Sequence, residues 1–161
     1  MVGVGEEAPD FTLQDQDGKP VTLSKLRGAP VVLYFYPKAE TPGCTTQACG
    51  VRDHQGEYER LGVKVLGVSP DSVDRIKRFA GKHNLNFTLL SDENHEVAER
   101  YGVWVKKRMY GKEYFGVQRA TFIIDGEGKV VHVIPNVKPA THDEEVLAAL
   151  QLSSSGQQQA G

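Results

Sequence analysis

Two cysteines, Cys44 and Cys49, stand among 161 residues, and their setting points to thiol chemistry. Cys44 follows Thr41, Pro42 and Gly43. Threonine is a good helix N-cap, and proline suits the first helical position, where its missing N–H costs nothing. On that register Cys44 lies in the first turn of a helix. Unpaired backbone N–H groups and the positive end of the helix dipole there favour the thiolate, the reactive form of the side chain. Two blander readings stand beside this one. Free cysteine is among the most buried residue types and is often inert. Cys44, Cys49 and His54, at successive spacings of five, also suggest a metal site, although Cys-x4-Cys is an uncommon zinc spacing and one histidine does not complete four ligands. A Cys-x-x-Cys redox pair has two residues between its cysteines, and this chain has four.

The spacing has a mechanical consequence. Cα atoms five residues apart in an ideal helix are separated by roughly 8.7 Å, whereas a disulfide spans at most about 7 Å. Cys44 and Cys49 therefore cannot bond within an intact helix. Any disulfide between them requires the first turns to unwind.

The elements that must hold this segment are legible from periodicity. Phe11-Thr12-Leu13 and Val21-Thr22-Leu23 flank Asp15-Gln16-Asp17-Gly18 as a hairpin. Ser24 to Gly28 offers a cap, one helical turn and a stop. The unbroken apolar run 31–36 reads as a strand buried on both faces. Pro37 ends it, and 44–61 reads as the first long helix, closed by Gly62. A second buried strand is expected over 63–68. The next helix is capped by Asp71 or Ser72 and carries Val73, Ile76, Phe79 and Ala80 on one face. A strand at 87–90, a helix at 95–101, strands at 119–125 and 129–134, and a closing helix at 143–150 complete the pattern. The expected fold class is therefore α/β, with a mixed central sheet flanked by helices and an N-terminal β-hairpin. Residues 1–152 are read as one domain, and 153–161, rich in Ser and Gln, as a flexible low-complexity tail.

Composition narrows the function classes. The 19 Lys and Arg nearly balance 21 Asp and Glu, leaving a net charge of −2. No basic run is present to displace counterions from nucleic acid or an acidic membrane surface. The apolar runs are too short to span a bilayer, and the first seven residues lack the charged and apolar segments of a secretory signal. The expectation is a cytoplasmic, reducing compartment, where a pair of cysteines is seldom a permanent staple. A chain of this length buries enough surface to fold without one.

Pro37-x3-Thr41-x2-Cys44 resembles the peroxidatic-cysteine motif of the peroxiredoxins. Thr41-Pro42-Gly43-Cys44-Thr45-x-Gln47-Ala48-Cys49 is similar to that of their bacterioferritin comigratory protein branch. Further blocks fall in the family's order, among them Ala8 to Leu13, Phe35 to Ala39, Val65 to Ser69, Leu90-Ser91-Asp92, Tyr101-Gly102-Val103 and Arg119 to Asp125, so the resemblance covers residues 4–150. It implies a thioredoxin-like fold and a thiol-dependent peroxidase acting on hydrogen peroxide and organic hydroperoxides. Cys44 would be oxidised to sulfenic acid and Cys49 would resolve it as an intramolecular disulfide, with thioredoxin as the reductant. No cofactor or metal is implied, and the expected state is a monomer or weak homodimer.

The resemblance also implies roles for Arg119, Thr41 and Pro37. Arg119 would bring a permanent positive charge to the thiolate and to the leaving oxygen. Thr41 would offer its hydroxyl to the peroxide, and Pro37 would shield the sulfur from water. Taken alone, each has an ordinary alternative: an ion-pairing arginine, a plain cap and a strand terminator. Gln47 stands where some peroxiredoxins have glutamate. Trp104 and Tyr110 are candidates for a reductase docking surface, although aromatic residues in a loop usually pack on the sheet. Residues 135–141 carry no feature of the family pattern, and the five histidines show no ligand spacing. A general thiol-disulfide oxidoreductase and a non-catalytic binding module are the competing readings.

Overall fold

The structure, a computed structural model, describes residues 1–160, with side chains described for 1–151. Its centre is the strand β3 (Val31–Phe35), every residue of which is buried. Side chains alternate across a strand, and here the alternation divides the core in two. Val32 and Tyr34 join one apolar cluster, and Val31, Leu33 and Phe35 join the other. An unbroken apolar run is thus what a strand between two layers requires.

Around β3 the sheet is mixed. It contains β1 (Thr12–Asp15), β2 (Pro20–Thr22), β4 (Lys64–Ser69), β5 (Thr88–Ser91), β8 (Ala120–Ile124) and β9 (Val130–Ile134), in the order β2-β1-β5-β4-β3-β8-β9. β3 pairs parallel with β4 and antiparallel with β8. Two more strands, β6 (Trp104–Met109) and β7 (Lys112–Val117), form a separate hairpin.

Helices α1 (Pro42–Asp53), α2 (Gln55–Arg60), α3 (Val73–Lys82) and α5 (His142–Ala160) lend buried residues to the cluster that contains Cys44. Helix α4 (Glu96–Tyr101) packs on the other. Ser72 is the α3 cap, its hydroxyl accepting from Arg75 N at 3.3 Å. Asp71, the other expected cap, is buried and turned toward the loop after β3.

Three sequence expectations need correction. The long helix expected over 44–61, with Thr41 and Pro42 as its cap and first residue, starts at Pro42 but does not run through: it breaks at His54. His54 leaves helical geometry (φ −100°, ψ 7°), and its ring Nδ1 lies 2.8 Å from the Gly50 carbonyl. The side chain competes for a helical acceptor at the break. Residues 104–117, where the periodicity assigns no element and Trp104 and Tyr110 are read as loop aromatics, form the hairpin β6–β7. Its turn residues Tyr110 and Gly111 both have positive φ (52° and 77°), which suits a two-residue hairpin turn. Finally, α5 runs on to Ala160 instead of ending at Leu150. It thereby takes in the backbone of most of the tail, whose side chains, along with Gly161, lie outside the described residues.

Gly67 in β4 sits directly across from Tyr34, and a methyl group there would stand 2.8 Å from the Tyr34 ring. Gly67→Ala should therefore destabilise the fold by about 1–3 kcal/mol, as overpacking of a rigid interior does. Denaturant unfolding would register this as a lowered midpoint at unchanged slope.

Candidate active site

The site lies where β3 ends. Tyr36 N donates to Val68 O at 3.0 Å, prolonging the β3–β4 ladder to the edge of Pro37. The loop beyond is held from below. Asp71, after β4, accepts Ala39 N at 2.8 Å within the interior. Glu40 then takes a left-handed conformation (φ 67°), which turns the chain sharply into α1. Ligand sites in sheets of this kind gather at the carboxyl ends of strands.

Thr41 occupies the N-cap position of α1 and Pro42 the first helical one, as the sequence implies. The cap itself is different. Thr41 Oγ1 makes no capping bond and instead donates to Lys38 O at 2.9 Å. Its hydroxyl proton is thereby committed, and its lone pairs remain available to accept from a ligand. The first-turn N–H groups of Gly43 and Cys44 are left without a side-chain cap, at the positive end of the helix.

Cys44 is only 2% exposed and packs in the apolar cluster with Tyr36 and Ala48. Cys49, five residues on, is half-buried on the same unbroken helix, and both thiols are free. Arg119 immediately precedes β8, and Val137 N donates to its carbonyl at 3.0 Å. Its guanidinium reaches the start of α1: a methyl at Gly43 would stand 3.1 Å from Arg119 Nη2 and 3.6 Å from Pro139. Gly43 and Arg119, far apart in sequence, are thus brought together by the β3–β8 pairing. An open groove of about 580 Å³ has Pro37, Thr41, Gly43 and Arg119 in its lining. Three of the five residues singled out from sequence, Pro37, Thr41 and Arg119, line this groove, and Cys44 is buried in the helical turn beside it. Cys49 is the exception, displaced along α1.

Several further side chains shape the site. Arg119 Nη1 donates to Gln47 Oε1 at 2.8 Å, and Gln47 is wholly buried. Gln47 lies three residues beyond Cys44, one helical turn along, and that i, i+3 spacing was the available signal. Lys107, on β6, lines the groove and donates to Val117 O at 2.6 Å. Burial, then the charge of Arg119, push its ammonium below the usual lysine range, an effect partly offset by Cys44. No sequence period marked Lys107, because its strand belongs to a small charged hairpin outside the main sheet. Residues 135–141 hold the backbone of Arg119 and place Pro139 beside Gly43.

The two aromatic candidates diverge. Trp104 stacks on His95 with centroids 3.9 Å apart and also lines the groove, whereas Tyr110, at the hairpin tip, is 97% exposed. Among the described residues no group of three or more His, Cys, Asp or Glu is arranged to hold a metal, and no helix is long and apolar enough to cross a membrane.

Comparison with known proteins agrees with this arrangement. The family model described as AhpC/TSA matches residues 4–133. The chain is 52% identical over 143 residues to Peroxiredoxin Bcp of Escherichia coli K12, covering 89% of this chain and 92% of that one. It is 45% identical over 150 residues to Peroxiredoxin Bcp of Bacillus subtilis, covering 93% and 96%. Among solved structures, the bacterioferritin comigratory protein of Xanthomonas campestris, studied for alkyl peroxide reduction, superposes with a TM-score of 0.88 at 37% identity, covering 94% of this chain and 99% of that one. A cysteine-to-serine variant of PrxQ from Xylella fastidiosa gives a TM-score of 0.91 at 31% identity, covering 96% and 98%. Peroxiredoxins act on peroxides and are reduced by thiols. With a thiol in the first turn of a helix at the end of the central strand, and such likeness along nearly its whole length, this chain belongs to the AhpC/TSA family as a thiol peroxidase of the bacterioferritin comigratory protein branch.

Proposed function

We propose that Cys44 is the residue that meets the peroxide and Cys49 the residue that resolves it. The observation that carries this reading is the position of Cys44 in the uncapped first turn of α1, with the Arg119 guanidinium against the adjoining Gly43. The Cys44 thiolate attacks the terminal oxygen of the peroxide. The O–O bond breaks, the other oxygen leaves as water or an alcohol after taking a proton, and Cys44 becomes a sulfenic acid. Arg119 stabilises the charge that moves onto the departing oxygen. Thr41 accepts a hydrogen bond from the peroxide, and Pro37, on the groove wall, limits the access of water. Cys49 then attacks the sulfenic sulfur, releases water and forms the disulfide, which a dithiol reductant of the thioredoxin type returns to two thiols.

The groove supports organic hydroperoxides as substrates beside hydrogen peroxide, because Trp104, Met109, Tyr114, Phe115 and Val117 give it an apolar wall. We place the enzyme in the cytoplasm as a monomer or weak homodimer, with residues 1–152 as its one domain.

Cys44→Ser should abolish peroxidase turnover. Cys49→Ser should keep the first reaction and accumulate sulfenic or over-oxidised sulfur, which intact mass spectrometry after one equivalent of peroxide distinguishes from loss of two hydrogens in the unaltered chain. Equal loss of the first step in both variants contradicts the division of roles.

Arg119→Leu should slow the peroxide step by about 10²–10³-fold, the effect of removing one preorganised stabiliser of transition-state charge. Stopped-flow measurement on the reduced variant reads that rate directly, and a near-normal rate removes Arg119 from the mechanism.

Oxidation should cost helix. The disulfide must break backbone bonds in the first turns of α1, so amide exchange between Cys44 and His54 should rise in the oxidised form while β3 and β4 stay protected. Unchanged exchange in that segment would mean that the disulfide is not Cys44 to Cys49.

A further inference from the structure

We propose that His142 is a positioning residue for the peroxide step, holding Gln47 so that its amide oxygen faces Arg119. The inference rests on the reading of Arg119 given above. It starts from a chain of buried contacts on one side of the sheet. Arg119 Nη1 lies 2.8 Å from Gln47 Oε1, Gln47 Nε2 lies 3.4 Å from His142 Nδ1, and His142 Nε2 lies 2.8 Å from Thr121 Oγ1. Gln47, Thr121 and His142 are at most 1% exposed. Water therefore does not substitute for a missing partner.

The chemistry of the groups gives the chain a direction. A guanidinium only donates, so the amide must present oxygen to Arg119 and its NH₂ to the histidine. His142 Nδ1 must then carry a lone pair and Nε2 the proton, which is donated to Thr121. The ring must also be neutral. Burial, and then the charge of Arg119, push His142 down to about 4. The Tyr34 ring, 5.5 Å away in an edge-on arrangement, closes the remaining side without offering a charge.

Without His142 the Gln47 NH₂ would be a buried donor lacking its acceptor. Rotation of the amide would trade that loss for a donor facing a guanidinium. Rotation, or movement of the unsatisfied amide away from its place, costs Arg119 the oxygen that fixes its fork beside the start of α1. His142 opens α5, so the closing helix, far from the cysteines in sequence, reaches the reaction through two side chains.

Two measurements test this. In the reduced, unaltered protein labelled with ¹⁵N-histidine, long-range proton–nitrogen correlation should show His142 with Nε2 protonated and Nδ1 bare at neutral pH, the signal being assigned by its loss in His142→Asn. A protonated Nδ1, or a charged ring, overturns the proposal. In rate measurements with hydrogen peroxide, His142→Phe should lower the second-order rate about ten- to a hundredfold, the scale of a small misplacement of a catalytic group. His142→Asn, which offers an amide oxygen where Nδ1 stood, should recover most of that loss. In an Arg119→Leu background, His142→Phe should have almost no further effect, because the two act as one unit. An equal further loss in that background defeats the His142 proposal alone, whereas an Arg119→Leu variant at the normal rate defeats the reading beneath it. If His142→Phe does not fold, the tautomer and the His142→Asn rate still decide: a protonated Nδ1, or a loss of tenfold or more in His142→Asn, each overturns the proposal.

Discussion

Cys44 and Cys49 ride on one helix, and while that helix stands, five residues hold them beyond bonding distance. In the intact state α1 holds Cys44 in its uncapped first turn, next to Gly43, against which the Arg119 guanidinium lies, with Cys49 displaced along the same helix. The bond that would store the oxidising equivalent is incompatible with that state. Reactivity and resolution therefore need two arrangements of one short segment, and the surrounding fold must hold the first firmly while permitting the second.

The contacts around α1 suit this division. Its start is held by groups from elsewhere: the Asp71-anchored loop, Pro139 beside Gly43, and Arg119, whose guanidinium bonds the helix's own Gln47. Its end is held differently. His54 breaks the helix, and Asp143, at the opening of α5, accepts the Tyr58 hydroxyl at 2.6 Å while its carboxylate lies against Gly50. Burial pushes the Asp143 carboxyl up, and the Tyr58 hydrogen bond and then His54 oppose the shift. The core itself rests on β3 and β4, which do not depend on α1 for their hydrogen bonds.

The groove adds a second asymmetry. One wall is the turn with Pro37, Thr41 and Gly43, and the opposite wall is the β6–β7 hairpin with its apolar side chains. The hairpin carries its charges mostly outward. Lys106 and Arg108 both pair with Glu113 on exposed surface, where such pairs contribute little stability. Lys107 alone turns inward to the Val117 carbonyl. A small, self-contained hairpin can thus vary its groove-facing side without disturbing the sheet that carries Arg119.

What was legible in the sequence is what local physics dictates. The unbroken run at β3, the helix start at Pro42 before Cys44, the five-residue spacing and the alternation of strands and helices each follow from nearest-neighbour rules, and the structure bears out those elements, although Thr41 turns its hydroxyl to Lys38 O and makes no capping bond. The break at His54 and the β6–β7 hairpin escaped because both turn on a side chain or a turn competing locally with the apparent period. The meeting of Arg119 with the start of α1 lay outside local reach altogether. It depends on β8 pairing with β3 across some ninety residues, from Val31 to Ile124. His142 and Lys107, unremarkable in sequence, and Asp71, readable there only as a cap, are likewise made informative by contacts with other elements of the chain. A chain's local pattern determines which segments become strands and which cysteine opens a helix. Which charge stands beside that cysteine is decided only when the sheet closes, because strand pairing alone determines which distant side chains share a face.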